Sequence, residues 1–330
     1  MPRFFEKNRT IRDSPNYSVA LWIRLLVVAA LIAWALWSER QRQEGAYWLN
    51  PESCFPDSPH YPLLLIALVL MPINWLLETH KWRALFTPDS RPSLALALKA
   101  LAAGLTAALA TPHRIGEYLG RLWVLPAALR VPGLTAGAIA SLCNQLVIGA
   151  AGIIGVWGMA SRAWDCLADP RTIQTLAILM MIGLLALFFS LPALWPRLLG
   201  RLPDTRTTRP VVKILQKVVL PESKRLYVGL GWAALRYAIY TGQFVAIVWF
   251  FHAPESPIQL VFALFSLFFF QTLLPLPLLA GLAARGALSL KLLGACGIPP
   301  CACLASSYLL WILNLFFPAL LGTFFLFSSK

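Results

Sequence analysis

Long apolar runs separated by short polar segments dominate the chain. A helix that crosses a bilayer needs about 20 mostly apolar residues. Eight segments meet that requirement and are predicted to span, namely 18–37, 61–78, 92–110, 132–158, 173–195, 226–252, 257–275 and 303–327. Two further apolar stretches, 112–130 and 284–296, follow prolines and are too short or too broken for ordinary spans. The pattern therefore predicts an all-α polytopic membrane protein.

The uneven distribution of lysine and arginine predicts how these spans are oriented. Fifteen of these residues lie in three segments, namely 1–17, 79–91 and 196–225. Only four lie in two other loops, namely 38–60 and 159–172. Positive residues collect on the cytoplasmic side, so the first group and both termini are predicted to be cytoplasmic. Stretches 92–131 and 257–302 must then each enter and leave on one side, as re-entrant hairpins.

The order of these elements predicts an internal repeat of inverted topology. Segment 61–158 consists of a span, the hairpin 92–131 and a second span, and segment 226–330 repeats this order around hairpin 257–302. The remaining domains are residues 1–60, with a leader, an uncleaved anchor span and an outer loop, and residues 159–225, with an extra span and a basic segment. Inverted repeats with broken helices are typical of secondary transporters, whose sites lie where the breaks meet. The alternative is a chance pairing of hydropathy patterns.

Composition excludes a soluble protein. Hydrophobic residues make up 58% of the chain and charged residues 13%, against about 25% charged in soluble domains. A formal charge of +14 would suggest nucleic acid in a soluble protein, but here topology explains most of it, so no nucleic-acid partner is predicted. The six cysteines have no zinc or redox spacing and are interpreted as packing residues. No metal and no cofactor is predicted.

The most informative stretch begins at Thr111. Thr111 followed by Pro112 is a start signal for a helix inside the apolar region, and the first-turn amides of such a helix can bind an anion. Arg114, Glu117 and Arg121 then lie on one face. Two cations, one anion and free amides favour a ligand such as phosphate. The alternative is a structural network in which Glu117 pairs with one of the arginines.

A second polar face lies near the cytoplasmic end of the 61–78 span. Asn74, Glu78 and Lys81 share this face by their spacing. Glu78 and Lys81 could form an interfacial ion pair worth under about 1 kcal/mol. Trp75 and Trp82 fit an aromatic belt at the headgroup level.

Polar residues also flank the second hairpin. Gln271 precedes the break at Pro275 and Pro277, and Arg285 follows it. The spans on either side of the hairpins carry further polar or amphipathic residues, namely Ser141, Gln145, Arg236, Tyr240, Gln243, Ser307, Trp311 and Asn314. Single residues of this kind usually form hydrogen bonds between helices.

Cations outnumber acids within the predicted membrane segments. The cations are Arg24, Lys99, Arg114, Arg121, Arg236, Arg285 and Lys291, and the acids are Glu78 and Glu117. Because buried charges need partners, the surplus predicts an anionic ligand. Arg236 and Arg285 have no acid nearby in sequence and are the best candidates to bind a lipid phosphate, for which the guanidinium geometry is suited.

Several of these residues together resemble the membrane region of the lysylphosphatidylglycerol synthase/flippase family. The resemblance covers roughly 60–327. It rests on Asn74-Trp75, Glu78, Lys81-Trp82, Gly104, the block Thr111-Pro112-x-Arg114-x-Gly116-Glu117-x-x-Gly120-Arg121, Ser141-x-x-x-Gln145, Pro275 and Gly281-x-x-x-Arg285-Gly286. His113 stands where the family usually has asparagine.

This resemblance implies a multi-pass protein of the bacterial cytoplasmic (inner) membrane. Family members that transfer aminoacyl groups carry a soluble domain after the membrane part. The chain ends at Lys330, so that activity is expected to be absent.

The leading hypothesis is therefore a lipid flippase-like transporter, without enzyme activity. It would bind the phosphate of an anionic or zwitterionic phospholipid, or of a polyprenyl phosphate, between the two hairpins. The predicted substrate-binding residues are His113, Arg114, Glu117, Arg121, Arg236, Arg285, Glu78, Gln145 and Gln271. Two alternatives remain open, a lipid-modifying membrane enzyme with His113 or Glu117 as base, and a non-transporting subunit that binds partners through 196–225.

Overall fold

The computed structural model describes residues 60–109, 111, 116–163, 221–273 and 278–327, with scattered residues between 175 and 197. All regular structure in these residues is helical. The predicted anchor 18–37 lies outside the described residues, as do much of the 173–195 span and most of the basic segment 196–225. The all-α class is confirmed for the part that the structure describes.

The described chain forms nine α-helices and one π-helical turn. They are α1 (Tyr61–Ala84), α2 (Leu94–Leu109), α3 (Gly116–Val124), α4 (Ala127–Ala163), α5 (Ser223–Phe251), α6 (Pro257–Leu273), α7 (Leu278–Gly294), α8 (Pro300–Trp311), the π-helical turn (Ile312–Phe316) and α9 (Phe317–Phe327). A short 3-10 helix, Pro88–Ser90, lies between α1 and α2.

Four continuous helical segments are long and apolar enough to cross a membrane. They are Tyr61–Ala84, Ala127–Met159, Ser223–Phe251 and Pro300–Phe325, which match four of the eight predicted spans. Helices α2 and α6 have 16 and 17 residues. At 1.5 Å per residue they reach about 24 Å and about 26 Å, short of the roughly 30 Å hydrocarbon core. The described residues thus contain four segments of spanning length, and α2, α6 and the stretch Met181–Ser190 are shorter apolar helices.

The outer surfaces of the long helices are apolar. Large side chains stand exposed on α1, α4 and α9, including Leu65, Val69, Ile154, Trp157 and Phe324. A soluble protein rarely exposes such continuous apolar surface, whereas lipid tails accept it. Exposed apolar residues on several long helices therefore agree with a membrane protein.

Three helix pairs join the part of the chain before residue 164 to the part after residue 220. Helices α1 and α5 pack extensively against each other, α4 packs along α6, and α9 packs along α2. Small residues allow these close approaches. At Gly155 of α4 an added Cβ would lie 2.7 Å from the Phe262 carbonyl oxygen of α6, and Gly322 of α9 lies directly against the backbone of Ala102 in α2.

The α2–α3 pair is also held by close packing of backbone atoms. Gly116 lies against the Ala107 carbonyl and Gly120 against the Ala103 carbonyl, so closely that no Cβ would fit at either glycine. At Gly104 an added Cβ would lie 2.7 Å from the Glu117 carbonyl oxygen. The spacing of Gly116 and Gly120 predicts such an approach, and the structure confirms it.

The cysteines correct one interpretation of the sequence. Cys143, Cys296 and Cys303 are buried, as expected of packing residues. Cys301 is instead disulfide-bonded, so the packing interpretation is wrong for this residue. The spacing of the cysteines could not reveal this, because a disulfide depends on which loops meet in space.

Candidate functional site

A cavity of about 460 Å³ lies between the two parts of the chain. Helices α1 to α8 and the π-helical turn all contribute to its wall. Six of the nine predicted site residues line it, namely Glu78, Glu117, Gln145, Arg236, Gln271 and Arg285. Residues from distant parts of the sequence therefore converge on one space, as a ligand site requires.

The cavity contains most of the other polar residues that the sequence singles out, and several that it does not. Expected polar or amphipathic residues in the wall are Asn74, Ser141, Tyr240, Trp311 and Asn314. Wall residues that the sequence analysis missed are Tyr118, Asn144, Tyr237 and Thr272. Asn144 precedes Gln145 and Thr272 follows Gln271, so a wider search beside each predicted residue would have found both.

Glu78 is the centre of an ion cluster beside the cavity. Its Oε2 lies 2.5 Å from Lys81 Nζ and 3.2 Å from Arg236 Nε, and its Oε1 lies 3.5 Å from Arg121 Nη2. Lys81, whose side chain is fully buried, also donates to Asn144 Oδ1 at 2.7 Å. The predicted Glu78–Lys81 pair is confirmed, but it is buried among helices and not interfacial.

Arg121 links this cluster to the α2–α3 pair. Its Nη2 donates to Glu117 Oε1 at 2.6 Å, one turn earlier on α3. Its guanidinium lies over the ring of Trp82, 5.2 Å from the centroid. Glu117 therefore pairs with an arginine, as the network alternative predicts. Arg121 is 5% exposed and supports the wall without lining it.

Trp82 and Trp75 do not form an aromatic belt. Trp82 is fully buried and donates from its indole Nε1 to the Gly133 carbonyl at 3.1 Å. Trp75 lines the cavity. Both positions can pass for interfacial tryptophans in a hydropathy pattern, because that pattern does not show which side of a helix meets a neighbour.

Arg236 forms an ion pair that its neighbours in sequence do not indicate. The sequence offers no nearby acid, but Arg236 Nε lies 3.2 Å from Glu78 Oε2 because α1 and α5 pack side by side. Its side chain is 28% exposed and it lines the cavity. Arg236 therefore has an acidic partner in the fold, although no acid lies near it in sequence.

Arg285 differs from Arg236 because its described hydrogen-bond partner is a neutral serine. It is 8% exposed, and its Nε donates to Ser307 Oγ at 3.0 Å. Ser307 in turn accepts from Ser289 at 2.8 Å. The guanidinium lies 5.9 Å from the ring centroid of Phe244. Among the described residues no carboxylate pairs with Arg285, and its buried Nη2 has no hydrogen-bond partner.

Asn314, in the π-helical turn, forms hydrogen bonds with side chains of both α1 and α5. Asn314 Oδ1 accepts from Asn74 Nδ2 at 2.7 Å, and its Nδ2 donates to Gln243 Oε1 at 2.8 Å. Gln243 continues the chain by donating to the Ala67 carbonyl at 2.8 Å. The helix–helix hydrogen bonds that the sequence analysis expects of such residues are confirmed here. π-Helical turns often occur at functional sites, and this one lies in the cavity wall.

Three predicted features lie at or beyond the described residues. His113 and Arg114 lie outside them, and so does Pro112, the predicted first residue of the helix. Thr111 is described, and its hydroxyl accepts from the backbone N–H of Gly116 at 2.7 Å. Thr111 thus stabilises the start of the described α3 helix.

The acids of the site are held by cations and are not clustered with other metal-ligand residues among those described. In the described ranges no group of three His, Cys, Asp or Glu residues is placed to hold a metal ion. Glu78 and Glu117 are both held by cations, which suits neither to accept a proton from a substrate. Three cations, Lys81, Arg121 and Arg236, pair with these two acids, and Arg285 is a further cation in the cavity wall.

A comparison of the chain with protein-family models finds no match. A comparison with curated proteins finds none either.

Proposed function

We propose that the protein is a lipid flippase-like transporter that binds the phosphate of a phospholipid or polyprenyl-phosphate headgroup in this cavity. The observation that carries the proposal is Arg285. It is a buried cation in the cavity wall, it pairs with no described acid, and its Nη2 is unpartnered. A desolvated arginine with an open donor is a strong phosphate site.

We also infer that 61–158 and 226–330 are inverted repeats, with hairpins around α2–α3 and α6–α7. Under this assignment α1 corresponds to α5, α2 to α6, and α4 to the α8–α9 segment. The packing supports it, since α1 and α5 pair with each other, and the α4–α6 pair has its counterpart in α9–α2. The cavity then lies where broken helices of both repeats meet, which is the usual substrate position in such transporters. Membership of the lysylphosphatidylglycerol synthase/flippase family belongs to the same proposal.

Transport is tested by lipid scrambling in proteoliposomes, with a fluorescent phospholipid quenched from outside. Arg285→Ala should reduce the scrambling rate at least tenfold, since a desolvated guanidinium–phosphate contact is worth several hydrogen bonds. Arg114→Ala is expected to reduce it as well. Arg130→Ala is the matched control, because Arg130 is exposed and donates to the Leu125 carbonyl outside the cavity. Unchanged scrambling in Arg285→Ala would refute the site.

For localisation we propose the bacterial inner membrane, with both termini cytoplasmic. The disulfide at Cys301 supports this, because disulfides persist in the periplasm and are rare in the cytoplasm. Cys301 lies at the start of α8, the end that the orientation places outside. Intact spheroplasts treated with an impermeant reductant and then an impermeant maleimide should become labelled at Cys301, and without the reductant Cys301 should stay unlabelled. Labelling only after permeabilisation would reverse the orientation.

A further inference from the structure

We infer that α2, α3 and α9 move together as one body against the other helices, with the π-helical turn as the hinge, and that this movement opens and closes the cavity. We call these three helices the hairpin unit. The inference concerns which helices move and does not depend on what the cavity binds. It therefore goes beyond the proposed phosphate site and can hold or fail independently of it.

Inside the hairpin unit, close backbone contacts join the three helices. Helix α2 packs much more extensively with α3 and α9 than with α1, and α3 packs more with α2 than with α4. Gly116 and Gly120 of α3 and Gly322 of α9 lie directly against backbone carbonyls of α2. Thr106 of α2 also donates its hydroxyl to the Ala319 carbonyl of α9 at 2.6 Å. Such close-packed contacts leave no room for sliding, so the three helices should move as one body.

Around the cavity, polar side chains attach the hairpin unit to the other helices. The hydroxyls of Tyr118 in α3 and Ser141 in α4 share a hydrogen bond of 2.8 Å, and both residues line the cavity. Arg121 Nη2 of α3 lies 3.5 Å from Glu78 Oε1 of α1. Polar contacts of this kind can be exchanged for contacts with water or a ligand at a small net cost. The hairpin unit can therefore separate from α1 and α4 at the cavity.

The apolar contacts divide the hairpin unit into a fixed end and a movable end. The start of α2 is buried in a core cluster shared with α1, α4 and α5, to which it contributes Ala97 and Ala100. The second half of α2 belongs to a separate small cluster formed with α9, namely Leu101, Leu105 and Ala319. Among the described residues, one residue of the other helices packs against this small cluster, Trp75 of α1, which lines the cavity. The start of α2 is therefore the pivot, and its end beside the cavity can move.

The π-helical turn joins the hairpin unit to α8, and its backbone is suited to bending. The N–H of Phe317 donates to the Ile312 carbonyl, five residues earlier. Pro318 has no N–H, so the Asn314 carbonyl cannot accept the usual helical hydrogen bond from it. Leu310, before the turn, lies in a core cluster with α5, α6 and α7, whereas α9 is anchored on α2. Because helices bend at prolines and π-bulges, this turn is the expected hinge.

Asn314 holds the hinge in the closed position. Its Oδ1 accepts from Asn74 Nδ2 of α1 at 2.7 Å, and its Nδ2 donates to Gln243 Oε1 of α5 at 2.8 Å. Asn314 also lines the cavity. A bend at the turn would carry Asn314 away from α1 and widen the cavity on the side of the hairpin unit. The hydrogen bonds Asn314–Asn74 and Tyr118–Ser141 are then the two latches of the closed state.

The test is electron paramagnetic resonance on the full chain in nanodiscs, with spin labels attached to p-acetylphenylalanine so that the native cysteines stay in place. Labels at Leu119 of α3, Leu320 of α9 and Trp157 of α4 use exposed positions. The pair Leu119–Leu320 reports on the inside of the hairpin unit. The pairs Leu119–Trp157 and Leu320–Trp157 report on its movement. We expect one narrow distance for the first pair, and two populations that change together for the other two.

Variants of the latches and of the hinge should shift these populations in opposite directions. Tyr118→Phe and Asn74→Leu each remove one hydrogen bond of the closed state. Each should raise the ratio of open to closed protein about fivefold, and the double variant about 25-fold if the effects add. Pro318→Ala restores an N–H for the Asn314 carbonyl and should lower the ratio about fivefold. Tyr227→Phe, at an exposed position of α5, is the matched control and should change nothing.

The outcomes separate this inference from the proposed function. The movement is refuted if both pairs with Trp157 keep a single population in the double variant while the Leu119–Leu320 distance shows an intact fold. A change in Leu119–Leu320, or a change in Leu119–Trp157 without one in Leu320–Trp157, would refute the single body and its hinge. Arg285-dependent scrambling would still support the phosphate site in either case. Movement without such scrambling would support the hinge and refute the phosphate site.

Discussion

Replacing Glu78 with glutamine removes the carboxylate that three cations share. Lys81 then has only the neutral Asn144 as a described hydrogen-bond partner, at 2.7 Å, although its side chain is fully buried. Arg236 loses its ion pair with Glu78, and Arg121 keeps Glu117. Breaking a buried pair from one side destabilises a protein by about 3–5 kcal/mol, because the other charge stays buried. The cost falls mainly on Lys81, so we expect Glu78→Gln to lose about 3 kcal/mol.

The assay is reversible unfolding of the purified protein in mixed micelles, monitored by tryptophan fluorescence. The double variant Glu78→Gln/Lys81→Met is the decisive companion, since it removes both charges and keeps the length of the lysine side chain. It should recover at least half of the loss, because a neutral pair has no buried charge to desolvate. A loss under about 1 kcal/mol in Glu78→Gln, or a double variant less stable than the single one, would refute the buried-cluster argument.

Two further predictions test the helix packing around the site. Gly155→Ala should destabilise the fold by about 1–3 kcal/mol, because its Cβ would lie 2.7 Å from the Phe262 carbonyl oxygen. Gly231→Ala should gain about 0.5–1 kcal/mol, since nothing lies within 4 Å and alanine favours helix; equal effects would contradict the α4–α6 contact. Asn314→Leu should lose about 2 kcal/mol in the same unfolding assay by stranding Gln243 Oε1, and an unchanged midpoint would count against this bridge.

The long helices, and the contacts between residues close in sequence, follow from local sequence signals. Runs of about 20 apolar residues define four helices close to their predicted limits, and the Gly116–Gly120 spacing predicts that another backbone approaches α3 closely. The spacing of Arg114, Glu117 and Arg121 on one face likewise allows Glu117 to pair with one of the two arginines, and Arg121 is such a partner. These features depend on residues within one or two helical turns of each other, where spacing alone determines which side chains can meet.

Features that depend on which helices meet could not be predicted in this way. Arg236 has no acid nearby in sequence, yet Glu78 lies beside it once α1 and α5 pack together. Trp82 fits a belt in the hydropathy pattern, but α4 covers it and provides the Gly133 carbonyl for its indole. In both cases the deciding partner is far away in the chain, and a hydropathy pattern does not identify that neighbour.

The surplus of cations now separates into two groups with different tasks. Lys81, Arg121 and Arg236 surround Glu78, and Arg121 also holds Glu117, so these charges join α1, α3 and α5 across the halves of the molecule. A ligand that took over these cations would also loosen helix contacts. Arg285 is instead fixed by the neutral Ser307, so it can bind and release an anion without breaking an ion pair. For a transporter that must release its lipid, a cation held by a neutral partner is the better phosphate contact, and Arg285 should therefore affect transport more than stability.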